Sequence, residues 1–89
     1  MTKFTIYTER KNVWALKHLA AAHLGDATML RAHGTWQGKV EAALIFEHFT
    51  INADSQRDKV KSFVRDVNAF NHQTCCLVTE QEMKGEFIG

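Results

Sequence analysis

Proline is missing from all 89 residues, where average usage would supply about four or five. With no proline, five glycines and no low-complexity tract, the chain offers no linker at which to divide, so residues 1–89 read as one domain. Cysteine is nearly missing: the two present, Cys75 and Cys76, are adjacent. Neighbours on a strand point to opposite faces, which makes a disulfide between them geometrically unfavourable. Neither a disulfide framework nor a zinc spacing exists, and the pair reads as small apolar fillers in a reduced cytosolic protein. Charge of one sign is missing too. Eleven Lys and Arg against ten Asp and Glu leave a net charge of +1, which excludes the broad basic field of a nucleic-acid coat. Long apolar runs are the last absence. Residues 1–10 lack the run a signal peptide needs, and the stretch from Leu19 to Leu24 is flanked and broken by His18 and His23, too short to span a bilayer.

What is present is an ordinary globular mixture, 45% apolar and 24% charged. A chain of this length buries roughly 60% of the surface its unfolded form exposes, so its stability alone is marginal. Residues 3–9 alternate Phe4 and Ile6 with Thr5 and Tyr7, the period of a half-buried strand. Asn12 is placed to cap a helix whose inward stripe is Val13, Leu16, Leu19, Ala20 and Leu24, with Gly25 as its stop. Residues 27–35 and 40–51 read as two strands around a turn, 36–39, in which Gly38 takes positive φ. Asp54 or Ser55 opens a second helix, Ser55 and Asp58 approximating a capping box. Its core stripe is Val60, Phe63, Val64, Val67 and Phe70. A last strand covers residues 75–79, and residues 80–89 are either a loose tail or a short extra edge strand at 86–88.

The resulting order, β-α-β-β-α-β, is the α+β, ferredoxin-like split βαβ arrangement: a four-stranded antiparallel sheet with two helices on one face. In the third strand Leu44 and Phe46 fall on one side, while Ile45, Phe49 and Ile51 fall on the other. Two apolar faces predict that the second is also covered, by a homodimer or higher homo-oligomer through the sheet or by strand addition from the tail. The topology gathers three distant loops at one end, carrying Glu9, Arg10, Lys11, Asn12, His33, Trp36, Gln37, Glu41 and Asn71-His72-Gln73. The start of the first helix adds free N–H groups, and an aromatic ring beside basic and amide groups suits a base with its phosphates.

The pattern Ile6-Tyr7-Thr8-Glu9-x-x-Asn12, followed by Gly34-x-Trp36-x-Gly38-x-x-Glu41-x-x-Leu44, resembles a group of small bacteriophage and prophage accessory proteins of similar length and element order. The likeness runs over residues 4–51 and more loosely beyond. It implies a protein of the bacterial cytoplasm, in a group that includes sponges for nucleotide immune signals and proteins that disable a host enzyme by binding it. It marks Thr8, Glu9, Asn12, Gly34, Trp36, Gly38 and Glu41 as positions without giving them roles. The first helix ends in His23-Leu24-Gly25-Asp26, without the aromatic expected there.

One enzymatic pattern is present. His33-Gly34-Thr35-Trp36 and His48-Phe49-Thr50-Ile51 are both His-x-Thr tetrads, the second fitting the pattern of the two-histidine phosphoesterases. There one imidazole accepts a proton, the other donates one, and the threonines hold phosphate oxygens. With the turn centred near Gly38, His33 falls opposite Leu44 and His48 opposite Met29, ~13 Å apart, too far to bracket one phosphate within one subunit. The same parity lets a dimer pair them. His18 and His23, five apart, turn to different helix faces, so no metal is called for, and no Gly-rich phosphate loop calls for a cofactor. Arg57, Lys59, Lys61 and Arg65 make a basic stripe interleaved with Asp58 and Asp66, an ordinary solvated face rather than a nucleic-acid surface.

The sequence therefore points to an anti-defence-like phage accessory protein that binds and sequesters a nucleotide-type ligand without chemistry. Trp36 is expected to stack, Arg10 and Lys11 to take phosphate, and Glu9, Asn12, His33 and Glu41 to supply polar recognition. The alternatives are a phosphoesterase using His33, Thr35, His48 and Thr50, and an inhibitor of a host protein acting through the exposed sheet.

Overall fold

The computed structural model describes the backbone of residues 1–89 and every side chain but that of Trp36. Alternation in the first strand, β1 (Thr2–Glu9), sets the layering: Phe4 and Ile6 are buried, Tyr7 and Glu9 exposed. There follow α1 (Val13–Leu24), β2 (Thr28–Trp36), β3 (Lys39–Thr50), α2 (Ala53–Asn71) and β4 (Leu77–Glu82). The strands form one antiparallel sheet in the order β2-β3-β1-β4, so the chain has the α+β, ferredoxin-like fold. No helix is long and apolar enough to cross a membrane.

The core is a single layer between sheet and helices. Phe4, Ile6, Leu44 and Phe46 rise from the sheet to meet Leu16, Ala20 and Leu24 of α1 and Val60, Phe63 and Val67 of α2. Phe46 and Phe63 meet edge to face with centroids 5.1 Å apart, joining the two layers at their centre. The opposite face of the sheet is uncovered. Along the ladder Leu30, Ile45, Tyr7 and Leu77 stand opposite one another across all four strands, an apolar row flanked by the polar row Thr28, Glu47, Thr5 and Thr79.

Several expectations are corrected. Asn12 does not cap α1: it is left-handed, its side chain accepts nothing from the helix, and its amide turns instead to Asn71. Helix α2 opens at Ala53 rather than at Asp54 or Ser55, because Asn52 accepts from the Ser55 N–H at 3.2 Å and is the cap. At the other end of α2, Phe70 is 51% exposed and Asn71 is the buried residue. The last inward position of the stripe lies past the apolar layer, against the turn that leaves β1, where polar backbone needs partners. The hairpin loop is two residues, with Gln37 and Gly38 both at positive φ, the twist that matches antiparallel strands. Strand β3 stops at Thr50, which leaves Ile51 outside the sheet. Strand β4 starts after the cysteines and runs to Glu82; residues 83–89 form neither helix nor strand, so the extra strand at 86–88 is not formed.

The burial contrast at α2 yields a direct check. Phe63→Ala is expected to cost about 3–5 kcal/mol in urea unfolding. Phe70→Ala, on the same stripe by spacing alone, is expected to stay within about 1 kcal/mol of the parent.

Candidate functional site

Strand β1 ends at Glu9 opposite Ala43, but β2 and β3 continue for four more pairs, from His33–Ala42 to Trp36–Lys39. A two-stranded ribbon therefore overhangs the sheet by about 13 Å at a strand rise of ~3.3 Å per residue. The overhang accords with overall extents of 39 × 24 × 22 Å. At its root the Arg10 N–H donates to the Ala42 carbonyl at 3.2 Å. The turn after β1, the start of α1 and the end of α2 all meet this end of the sheet.

What holds them together is a polar cluster around Asn71, which is 2% exposed. Asn71 Oδ1 accepts from Asn12 Nδ2 at 3.0 Å, while its Nδ2 donates to Gln73 Oε1 at 3.1 Å and to the Glu9 carbonyl at 3.5 Å. Gln73 Oε1 also accepts from the Thr8 hydroxyl at 3.0 Å, and Gln73 Nε2 donates to Asn68 Oδ1 at 3.0 Å. The chain reaches this geometry because His72 takes a left-handed conformation, letting the Gln73 N–H close the helix onto the Asn68 carbonyl at 3.0 Å. The Cys76 thiol donates to Asn68 Oδ1 at 3.3 Å, and burial pushes its pKa up. Cys75 beside it is exposed.

The residues singled out from sequence are distributed unevenly around this end. Glu9 pairs with Lys11 at 2.8 Å, and the Lys11 ammonium also donates to the Asn71 carbonyl at 3.5 Å, so Lys11 is partly committed. Arg10 is half-buried and its guanidinium has no ion-pair partner among the described residues. Asn12 serves the cluster through Nδ2. No side chain caps α1, whose first pairing is the Leu16 N–H to the Asn12 carbonyl at 3.0 Å. His33 and Thr35 share the helix side of the ribbon by register, whereas Glu41, opposite Gly34, falls on the other face. Trp36 pairs with Lys39 at the tip; the stacking role expected of its side chain lies outside the described residues. Sequence reasoning passed over Trp14, which is exposed in the first turn of α1 with its ring 4.2 Å from that of His18. Its signal was position: a tryptophan one residue off the inward stripe has no core to fill.

The two His-x-Thr tetrads are not brought together. The register places His33 opposite Ala42, two positions from the expected Leu44, because the hairpin is centred between Gln37 and Gly38, one position before the centre the expectation assumed. Six residues then separate the two histidines along β3, about 20 Å. His48 is buried beneath α2, beside Phe4. Its Nδ1 donates to the Asp26 carbonyl at 2.6 Å and its Nε2 meets the Gln56 side-chain amide at 2.9 Å, so both ring nitrogens are taken. It ties the entry of β2 to the first turn of α2. Among the described residues no group of three His, Cys, Asp or Glu is placed to hold a metal ion.

Comparison with known proteins places the fold. The sequence matches no family model and no curated protein. Among solved structures it is similar to a phage SAM lyase in complex with S-methyl-5′-thioadenosine, at a TM-score of 0.72 and 14% identity, over 91% of this chain and 80% of that one. It is also similar to a nitrogen regulatory PII-like protein from Thiomonas intermedia, bound to ADP, AMP and bicarbonate, at 0.63 and 13%, over 98% and 94%. A de novo designed protein gives 0.53 and 10%, over 93% and 96%. At these identities the likeness is one of fold, and the designed protein is a reminder that this fold fixes no activity.

Asn71→Ala removes the hub of the cluster and leaves Asn12 and Gln73 without their shared partner. It is expected to cost about 1–3 kcal/mol in urea unfolding.

Proposed function

We propose that this chain is a small phage-type accessory protein that binds and holds a nucleotide-type ligand without transforming it. It does so at the overhanging end of the sheet, in the host-cell cytoplasm, and as a homo-oligomer. The observation that carries the reading is the convergence there of the β1–α1 turn, the end of α2 and the projecting ribbon. Arg10 is a cation without an ion-pair partner among the described residues, Trp14 an exposed aromatic face, and the α1 start has no side-chain cap. Support comes from the fold shared with a phage protein holding S-methyl-5′-thioadenosine and with a PII-like protein holding ADP and AMP.

In this reading Arg10 and the start of α1 take phosphate or ribose oxygens. Trp14 offers a stacking face, Trp36 is assigned a second, and His33 with Asn12 Oδ1 supplies polar recognition. Lys11 contributes only by leaving Glu9, and Glu41 only from the far face of the ribbon. Binding without chemistry is favoured over phosphoester hydrolysis because His48 has both ring nitrogens occupied, far from His33.

Calorimetry against S-methyl-5′-thioadenosine, AMP, ADP, ADP-ribose and a cyclic dinucleotide tests this directly. At least one is expected to bind, to be recovered intact after denaturation, and to bind about tenfold more weakly to Arg10→Ala, a loss of ~1.4 kcal/mol. Recovery of a cleaved product would make the protein an enzyme. Unchanged affinity in Arg10→Ala, Trp14→Ala and Trp36→Ala alike would move the site elsewhere.

The apolar row on the open face carries the oligomeric part of the proposal. Light scattering at micromolar protein is expected to give a multiple of the chain mass, and Leu30→Glu to lower it. A monomer at that concentration would leave the face for a host protein instead.

A further inference from the structure

A net charge of +1 conceals a division of charge across the sheet. Residues 10–40 hold five cations, Arg10, Lys11, Lys17, Arg31 and Lys39, against Asp26 alone, a net of +4. Lys3 and Glu9 cancel, so residues 41–89 carry −3. The two stretches occupy opposite sides of the molecule. Helix α1 and edge strand β2 belong to the first, helix α2 and edge strand β4 to the second.

The cationic side is also the side where the helix layer stops short. Helix α1 rests on β3 and turns Asn12 and His23 toward α2, where they meet Asn71 and Asp66. At 3.6 residues per turn, Trp14, Lys17, His18 and Ala21 then project from the opposite flank, over β2, and all four are exposed. Below them Arg31 and His33 stand on the helix side of β2, opposite Leu44 and Ala42, and both are exposed as well. The levels agree. Trp14 lies about 18 Å of helix above Asp26, whose carbonyl meets His48. Ala43, opposite Ala32, lies about 16 Å along β3 from that same histidine. Trp14 is therefore level with the stretch of β2 between Arg31 and His33. The two surfaces form a step, with the outer flank of α1 as its wall and the helix side of β2 as its floor. Arg10 sits at its head, where its N–H donates to the Ala42 carbonyl. Arg10, Lys17 and Arg31 have no ion-pair partner among the described residues, and neither surface of the step carries Asp or Glu. Asp26 is at its foot, and Glu41 is on the other face of the ribbon.

Cations spaced along a strip, flat π faces between them and no acid to repel phosphate together suit a single strand of nucleic acid. An acidic peptide would use the cations but not the exposed Trp14 indole, with the His18 ring 4.2 Å from it. We propose that this step binds a short single-stranded oligonucleotide, with a base on Trp14 and phosphates on Arg10, Lys17 and Arg31. The proposal rests on the ligand reading above and deepens it: the nucleotide held at the start of α1 becomes one unit of a chain that continues down the step. A charge total near zero forbids a nucleic-acid coat, but it permits a strip of this length.

The test is fluorescence anisotropy of end-labelled hexathymidylate with the full chain, using thymidine 5′-monophosphate as the single-unit competitor. The hexamer is expected to bind on the order of tenfold more tightly than the monophosphate. Its log affinity is expected to fall against log salt with a slope of about −2, at ~0.7 for each of three phosphates on a single strand. Lys17→Ala and Arg31→Ala are each expected to weaken binding about two- to fivefold and to reduce that slope by about 0.7. Trp14→Ala is expected to weaken it about fivefold or more, the low end for a stacked base. Lys61→Ala removes the same charge from the far side of the molecule, at the apolar groove between α2 and β4 lined by Phe4, Val60, Val64 and Val78. It is expected to change affinity by less than about twofold. Binding of the monophosphate with no gain from chain length overturns this proposal and leaves the ligand reading standing. Failure of the hexamer and of every mononucleotide removes both. Equal losses from Lys17→Ala and Lys61→Ala, or displacement of the hexamer by hexaglutamate at equal concentration, would mark a response to charge alone and also overturn the proposal.

Discussion

Burial on one side only is the constraint on which this chain's architecture depends. Among the described residues ten apolar side chains are buried, and all ten lie in the one layer between sheet and helices. A chain this short has no second layer to build, so the far side of the sheet, both of its edges and every loop are left over as surface. Features that look functional here are therefore places where the layer stops: the uncovered apolar row, the groove at β4, and the overhanging end. Each follows from where packing ran out.

The layer is closed at its two ends by polar ties rather than by more apolar contact. At the overhanging end the Asn71 cluster binds the exit of β1 to the end of α2; at the other, His48 binds the approach to β2 to the first turn of α2. The two ties need buried hydrogen-bonding groups, and such groups are costly unless fully paired. No buried side-chain polar atom lacks a partner among the described residues. The consequence for function is that a histidine inviting a catalytic reading is structural, whereas Arg10, which invites no motif, keeps its charge free of ion pairs among the described residues.

Much of the fold was legible because periodicity reports burial. Alternation at Phe4 and Ile6, the stripe through Leu16, Ala20 and Leu24, and the three- and four-residue spacing of Val60, Phe63 and Val67 all mark side chains that the structure buries. Periodicity failed where an element ends. Phe70 continues the spacing but lies past the layer, and Asn71 takes the inward place because backbone polar groups, not methyls, wait there. Register was legible only to within two residues, since a glycine at positive φ fits more than one position in a turn; an even slip keeps the faces and so left no trace in the pattern. At the candidate site the converging segments followed from topology. The pairing of Glu9 with Lys11, the loss of Asn12 as a cap, and the opposed faces of His33 and Glu41 depend on local geometry that residue types do not encode.

The two-residue loop at Gln37-Gly38 bears on how such a chain can change over generations. The ribbon it closes stands clear of the core for four residue pairs. Inserting or deleting residues there in balanced pairs lengthens or shortens the arm while every inward side chain keeps its face; a single-residue change in one strand inverts one flank of the arm against the other. Nothing in the buried layer senses the difference in the balanced case. The arm is thus the part of the molecule where length is free to drift, and its reach beyond the core is the property such drift would tune.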